Sequence, residues 1–289
     1  MTSVFTAVAY LLPTTAFDWN VFFGIGNIPV FYPPWTMYIT GLLTYQLLVG
    51  ITLSSFALAV MKRAKSPVSA AMAFITLPLF WAIFLGQLDG LALLGVSGLP
   101  YLVPLAMLKP QVASFAVFAN KKSMLAAAIF LLITFVVWGA WPLEMLNYHR
   151  DHSEWPQDIA LGLLGLIPLS VITLAMLTSK IPRNDPDWWM LIGACLTPAL
   201  IPYNMLPLMP AIARLPTKWA IAVALTSWLP LSANWIGPTG WHLGWLSLLI
   251  MGIGLKLKAI RAPYKIAPRN GRIWSGGYCD DKWAEGEVR

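Results

Sequence analysis

The sequence predicts an all-α, polytopic transmembrane helix bundle, and three observations carry that expectation. Hydrophobic residues make up 58% of the 289-residue chain and charged residues 11%, against roughly 45–50% and about 25% in an ordinary soluble domain. Apolar runs of about 20 residues, the length that crosses a hydrocarbon core, follow one another with short polar breaks. A threading of about nine crossings then puts seventeen of the nineteen Lys and Arg residues on one side, the asymmetry that cytosolic loops show.

Three regions follow: an outer-face N-terminal segment over 1–35, a bundle over 36–259 and a cytosolic basic tail over 260–289. Residues 3–12 are apolar but about half of a spanning length. They suit an interfacial or re-entrant helix on the outer side, with a tilted tenth span as the alternative. No basic region follows Met1 and no small-residue cleavage site is evident, so a secretory signal is not expected.

Residues 36–60 read as one long apolar helix ending at Met61-Lys62-Arg63-Ala64-Lys65, and 67–85 return to Gly86-Gln87-Leu88-Asp89-Gly90. Residues 88–119 run back to Asn120-Lys121-Lys122. Gly98, Pro100, Pro104, Lys109 and Pro110 interrupt that run, so a broken helix is expected near 98–110. Residues 123–141 cross cleanly, 142–157 read as a polar loop, and 158–178 cross back to a loop holding Lys180, Arg183, Asp185 and Asp187.

Pro198, Pro202, Pro207 and Pro210 argue against an unbroken rod over 188–215. Two short elements meeting near Ile201-Pro202-Tyr203 are expected, with the break at 198–210. A single span there would carry the polybasic tail to the outside, against the positive-inside rule. Residues 219–235 go out again, Gly237-Pro238-Thr239-Gly240 turns, and 241–257 come back. Trp19, Trp35, Trp138, Trp141, Trp188 and Trp241 lie near proposed ends, as an aromatic belt places them.

The basic residues sit at helix ends and in the tail, so the net charge of +7 suits anionic headgroups and topology rather than nucleic acid. Cys195 and Cys279 make no disulfide or metal framework. His149 and His152, with Glu144, Asp151 and Glu154, match no strong metal-ligand spacing. No phosphate-binding glycine loop or nucleophile elbow is present, and no cofactor or metal is expected.

Most outer-face acids, Asp158 among them, read as solvated ends of spans. Two stand out. Asp18 is the only acid before the first span and lies between aromatics, and Asp89 follows Gly86-Gln87 at the top of a helix hairpin where it can face a cavity. Lys109 interrupts Leu105-Ala106-Met107-Leu108 at membrane depth. An ionisable residue there is a functional hypothesis by default; the alternative is a lysine snorkelling to the interface at a break between half-helices.

Taken in order, Tyr32-Pro33-Pro34, Gly86-Gln87, Leu108-Lys109-Pro110-Gln111, and Thr197-Pro198 followed by Pro202-Tyr203-Asn204 form a series. It resembles that of the GT-C type polytopic membrane glycosyltransferases, in particular glycosyltransferase family 87, which is mannosyltransferase-like and uses a polyprenyl-phosphate sugar donor. The likeness covers roughly residues 25–215.

The resemblance implies transfer on the outer face of the cell membrane, with an outer carboxylate, Asp18 or Asp89, as general base. It implies Lys109 near the lipid-phosphate path, and Gln87, Tyr203 and Tyr32 lining the cavity. Asp18 stands 14 positions before Tyr32, closer than in the family, and the interval from Gln87 to Lys109 is compressed. The alternative is therefore a shortened, non-catalytic scaffold subunit packed with other membrane subunits. Fifteen Trp and twelve Met suit extensive packing against helices and membrane lipids, and the tail segment Ile273-Trp274-Ser275-Gly276-Gly277-Tyr278 suits a partner. A transporter is disfavoured because neither internal repeats nor paired intramembrane charges are evident in the sequence.

Overall fold

The structure, a computed structural model, describes residues 1–12, 15–24, 32–151, 156–179, 183–197 and 199–261, without the side chains of 148–151 and 258–261. The described residues are helical and contain no strand. The α-helices are, in order, α1 (Thr2–Ala9), α2 (Thr36–Thr40), α3 (Tyr45–Arg63), α4 (Pro67–Phe74), α5 (Leu77–Leu85), α6 (Asp89–Ser97) and α7 (Val103–Ala106). They continue with α8 (Lys121–Trp138), α9 (Trp141–Asp151), α10 (Gly162–Leu177), α11 (Pro186–Leu196), α12 (Thr217–Thr226), α13 (Ala233–Ile236) and α14 (Trp245–Arg261).

Among the described residues, five segments are long and apolar enough to cross a membrane: Tyr45–Arg63, Pro67–Leu85, Lys121–Trp138, Thr217–Ile236 and Pro238–Leu257. Gly162–Leu177 is a shorter apolar helix. This is the build of an integral membrane protein.

Several elements differ from the sequence expectation. The helix expected over 36–60 is two, because the chain turns after α2 and restarts where the Thr44 side chain accepts from the Leu47 N–H at 3.2 Å, a regular N-cap. The return over 67–85 breaks between α4 and α5, where Pro78 sits in the first turn of the second piece. Ser227, just after the neighbouring α12, accepts from the freed Leu77 N–H at 3.2 Å. Part of the polar loop expected over 142–157 is the helix α9. Trp141 and Met145, one turn apart on it, are both buried, and that apolar pair outweighs the polar composition around it. α1 has about 12 Å of helix at 1.5 Å per residue, too little to span, and it packs along α3 with Thr6 over Gly50.

The two expected breaks are present. Residues 98–110 hold only the single turn α7 between α6 and a 3-10 segment, Ala113–Ala119. After α11 the chain continues as a 3-10 helix over Pro202–Arg214, buried from Pro202 through Ala213. Three prolines in thirteen residues deny this stretch the α-helical hydrogen-bond ladder. At a rise of about 2 Å per residue it covers about 26 Å, which an α-helix would need roughly 17 residues to match. It stands at the centre of the bundle, against α3, α4, α5, α6, α11 and α12.

Ion pairs fix one end of this post. Arg63 at the end of α3 and Arg214 at the end of the post both bond Asp187 at the start of α11, and Arg214 also bonds Asp185. The stretch from Asp185 to Arg214 therefore leaves and returns to the same end, as expected for two elements and not for one rod. Asp158 marks the other end of α11. It is buried, not solvated, and accepts from the N–H groups of Ala160 and Leu200 at 2.8 Å each.

Candidate functional site

Two turns and the post build the site. α5 ends at Gly86 with φ 78°, a left-handed conformation that favours glycine. A Cβ there would lie 2.7 Å from the Trp19 Cβ, so Gly86 also admits the N-terminal segment. Beyond that turn come Gln87 and Asp89, the latter in the first turn of α6, where the helix dipole favours a carboxylate. Gly90 then lets α6 lie against Thr52 of α3; a Cβ at Gly90 would come within 2.0 Å of the Thr52 Oγ1. Lys109 comes from the irregular turn after α7, and Tyr203 and Asn204 from the start of the post.

The six side chains singled out in the sequence meet here. The Lys109 Nζ donates to Asp89 Oδ2 at 2.7 Å and to Gln87 Oε1 at 2.5 Å. The Tyr32 hydroxyl donates to the same Gln87 Oε1 at 3.2 Å, and the Gln87 amide nitrogen donates to Asp18. The ammonium lies 4.4 Å from the ring centre of Tyr203 and 5.5 Å from that of Tyr32, within cation–π range of both. Gln87, Asp89 and Lys109 are 2%, 1% and 4% exposed.

Lys109 is therefore not snorkelling to an interface. It is buried as half of an ion pair inside the bundle. The paired charge that the sequence did not reveal is present, because its members lie 20 residues apart on either side of a broken helix.

Asp18 alone in the cluster is partly exposed. Burial pushes its carboxyl up to about 6, against the opposing pull of Lys109, while Asp89 adds to the rise. A carboxylate that titrates there is poised for proton transfer near neutral pH. The polar cluster is walled by aromatic and aliphatic side chains. Phe23 meets the Tyr32 ring edge-on at 5.1 Å, and Trp19, Leu48, Leu88, Leu91 and Leu108 are buried around it. Trp35 anchors the Tyr-Pro-Pro segment to the break by donating to the Pro104 carbonyl at 3.0 Å.

One contributor had no role assigned from sequence. The Asn204 side chain reaches the Asp89 carboxylate, and its Oδ1 accepts from the Ile201 N–H at 3.0 Å. Its place directly after Tyr203 in the Pro202-Tyr203-Asn204 triplet was the available signal. Among the expected residues, His152, Glu154, Lys180, Pro198, Cys279 and the tail segment 273–278 fall outside the described residues, as do the side chains of His149 and Asp151. The described residues contain no group of three His, Cys, Asp or Glu able to hold a metal ion. Compared with known proteins, the chain matches no family, no curated relative and no solved structure.

Proposed function

We propose that this chain is a cell-membrane glycosyltransferase of the GT-C kind, moving a mannose-like sugar from a polyprenyl-phosphate donor to an acceptor hydroxyl on the outer face. In this reading the bundle crosses about nine times and the basic tail lies in the cytosol, as the positive-inside rule favours. The observation that supports it is the meeting of Asp18, Tyr32, Gln87, Asp89, Lys109 and Tyr203 in one cluster, although they are drawn from five separate stretches of chain.

The roles divide by exposure. Asp18, at the accessible rim, takes the acceptor proton as the acceptor oxygen attacks the anomeric carbon. The bond from that carbon to the donor phosphate breaks, and its electron pair leaves with the lipid phosphate. Asp89 is the buried counter-ion that holds Lys109. Lys109 supplies positive potential to the leaving phosphate from behind the Tyr203 and Tyr32 rings, an electrostatic contribution that strengthens away from water.

The test is transfer from a radiolabelled polyprenyl-phosphate sugar, comparing the wild-type chain with Asp18→Asn. Loss in the variant with a preserved fold supports the reading. Equal transfer removes Asp18 from the mechanism. No transfer by the wild-type chain favours the scaffold-subunit alternative, which the burial of the Asp89–Lys109 pair also suits.

A further inference from the structure

A second polar site lies at the other end of the bundle. α3 separates the two: Tyr45 at its start lies against Gly86, while Arg63 at its end joins Asp187. There a pocket of about 280 Å³ is lined by Lys65, Ser66, Arg214, Thr217, Trp219 and Leu257, among others. It is large enough for a glycerophosphate group and too small for a whole lipid.

Its charge is unbalanced. Arg214 is neutralised by Asp185 and Asp187. Lys65 and Lys218 are exposed, and neither has a carboxylate partner among the described residues. Lys218 is not part of the lining but flanks it, with its ammonium 6.0 Å from the ring of Trp219, which is. The Ser66 and Thr217 hydroxyls lie 3.5 Å apart in the lining. Trp219 and Leu257 give the pocket an apolar side. One lining and one flanking cation without a carboxylate partner among the described residues, a threonine hydroxyl and an apolar wall, at the end of a bundle of membrane length, match an anionic phosphate carried on an apolar stem.

We propose that this pocket binds a phosphate ester, with Lys65 in the lining and Lys218 at its edge as cations and Thr217 as its hydroxyl donor. The group comes from an anionic phospholipid headgroup or from a soluble phosphate ester. The site is independent of the transfer reaction proposed for the Asp18 cluster.

The experiment uses the full-length chain in a neutral detergent and measures binding by native mass spectrometry. The probes are dioctanoyl phosphatidylglycerol, dioctanoylglycerol and glycerol 3-phosphate. The lipid with phosphate is expected to bind saturably and dioctanoylglycerol not to. Lys65→Gln/Lys218→Gln should weaken binding about 30-fold, taking about 1 kcal/mol for each lysine near an anionic surface. Both lysines are exposed, and an unchanged helical circular-dichroism signal would show that the variant is folded. Thr217→Val, which keeps the side-chain volume, should weaken binding independently. Competition by glycerol 3-phosphate at equal affinity assigns the site to a soluble ester, and lack of competition assigns it to the lipid. Phosphatidylglycerol binding no tighter than dioctanoylglycerol, or unchanged binding in the double variant, overturns the proposal.

Discussion

Lys109 fixes the orientation of Gln87. Its ammonium has only donors to offer, so the Gln87 atom 2.5 Å away must be the amide oxygen. The Tyr32 hydroxyl converges on the same oxygen. The Gln87 NH₂ is therefore turned towards Asp18, and a chain runs from the buried Asp89 through Lys109 and Gln87 to a carboxylate at the rim. A rotation of the amide would set oxygen against carboxylate, so the buried charge pair dictates how the rim acid is held.

Removing one member of the pair should cost far more than removing both. Lys109→Met leaves Asp89 buried without its counter-charge, a loss of about 3–5 kcal/mol in comparable buried pairs. Adding Asp89→Asn should restore part of it, because the remaining groups are neutral. Thermal unfolding of the wild type, both single variants and the double variant in detergent gives the coupling energy. Additive losses would show that the pair does not act as a unit.

Transfer should be controlled by Asp18 ionisation. With its carboxyl pushed up to about 6 by burial, activity is expected to rise with pH to half its maximum near that value, since only the ionised form accepts a proton. Gln87→Leu removes a hydrogen bond to the charged form, so the acid limb should move to higher pH. Stability has the opposite sign. A carboxyl whose folded value lies above the ordinary 3.8 binds its proton more tightly when folded. Its contribution favours the folded chain in acid and is lost as pH rises through about 6. Asp18→Asn should therefore be inactive yet no less stable at neutral pH, and an acid limb that stays in place in Gln87→Leu would count against this arrangement.

Much of the frame was legible because its signals are local. Apolar runs and the prolines from Pro100 to Pro110 and from Pro202 to Pro210 located most of the helices and both breaks. The short motifs contained Tyr32, Gln87, Lys109 and Tyr203, and the placement of the outer acids singled out Asp18 and Asp89. Partners were not legible, since Asp89 and Lys109 meet only because the chain reverses between α6 and α7. Asp158 resembled a solvated helix end, and Asp185 and Asp187 read as parts of a polar loop, for the same reason. Each has partners that are remote in sequence: Leu200 for Asp158, and Arg63 or Arg214 for the other two. α9 was missed because Trp141 and Met145, both buried, stabilise a helix whose second half, from Asn147 to Asp151, is polar and reads as loop.

The reversal between α6 and α7 should be sensitive to one methyl group. A Cβ at Gly95 would lie 2.1 Å from the Ala106 nitrogen, which is backbone and cannot swing aside. Gly95→Ala must push α7 away from α6, with an overpacking cost of about 1–3 kcal/mol. Because Lys109 follows Ala106 by one turn, the displacement should also loosen its contacts with Asp89 and Gln87. Transfer activity is expected to fall more than the stability loss alone explains when measured well below the unfolding temperature. Full activity in a destabilised variant would show that the turn tolerates the shift.

At the basic end, geometry as well as charge is at stake. The Arg214 Nη1 bonds Asp185 Oδ1 at 2.9 Å and Asp187 Oδ2 at 2.8 Å, while Nη2 bonds the second Asp185 oxygen at 2.5 Å. Arg63 approaches Asp187 through Nε and Nη2, at 3.1 and 2.9 Å to its Oδ1. One planar guanidinium thus spans two carboxylates, a task that a lysine point charge performs poorly. Arg214→Gln should destabilise by about 3 kcal/mol, the low end of the range for broken buried pairs, because its side chain is 21% exposed. Arg214→Lys should recover less than half of that loss, although it restores the full charge. Complete rescue by lysine would mean that net charge alone holds α3, α11 and the 3-10 post together. Partial rescue would assign the remainder to the guanidinium fork, which locks the returning end of the post beside the start of α11.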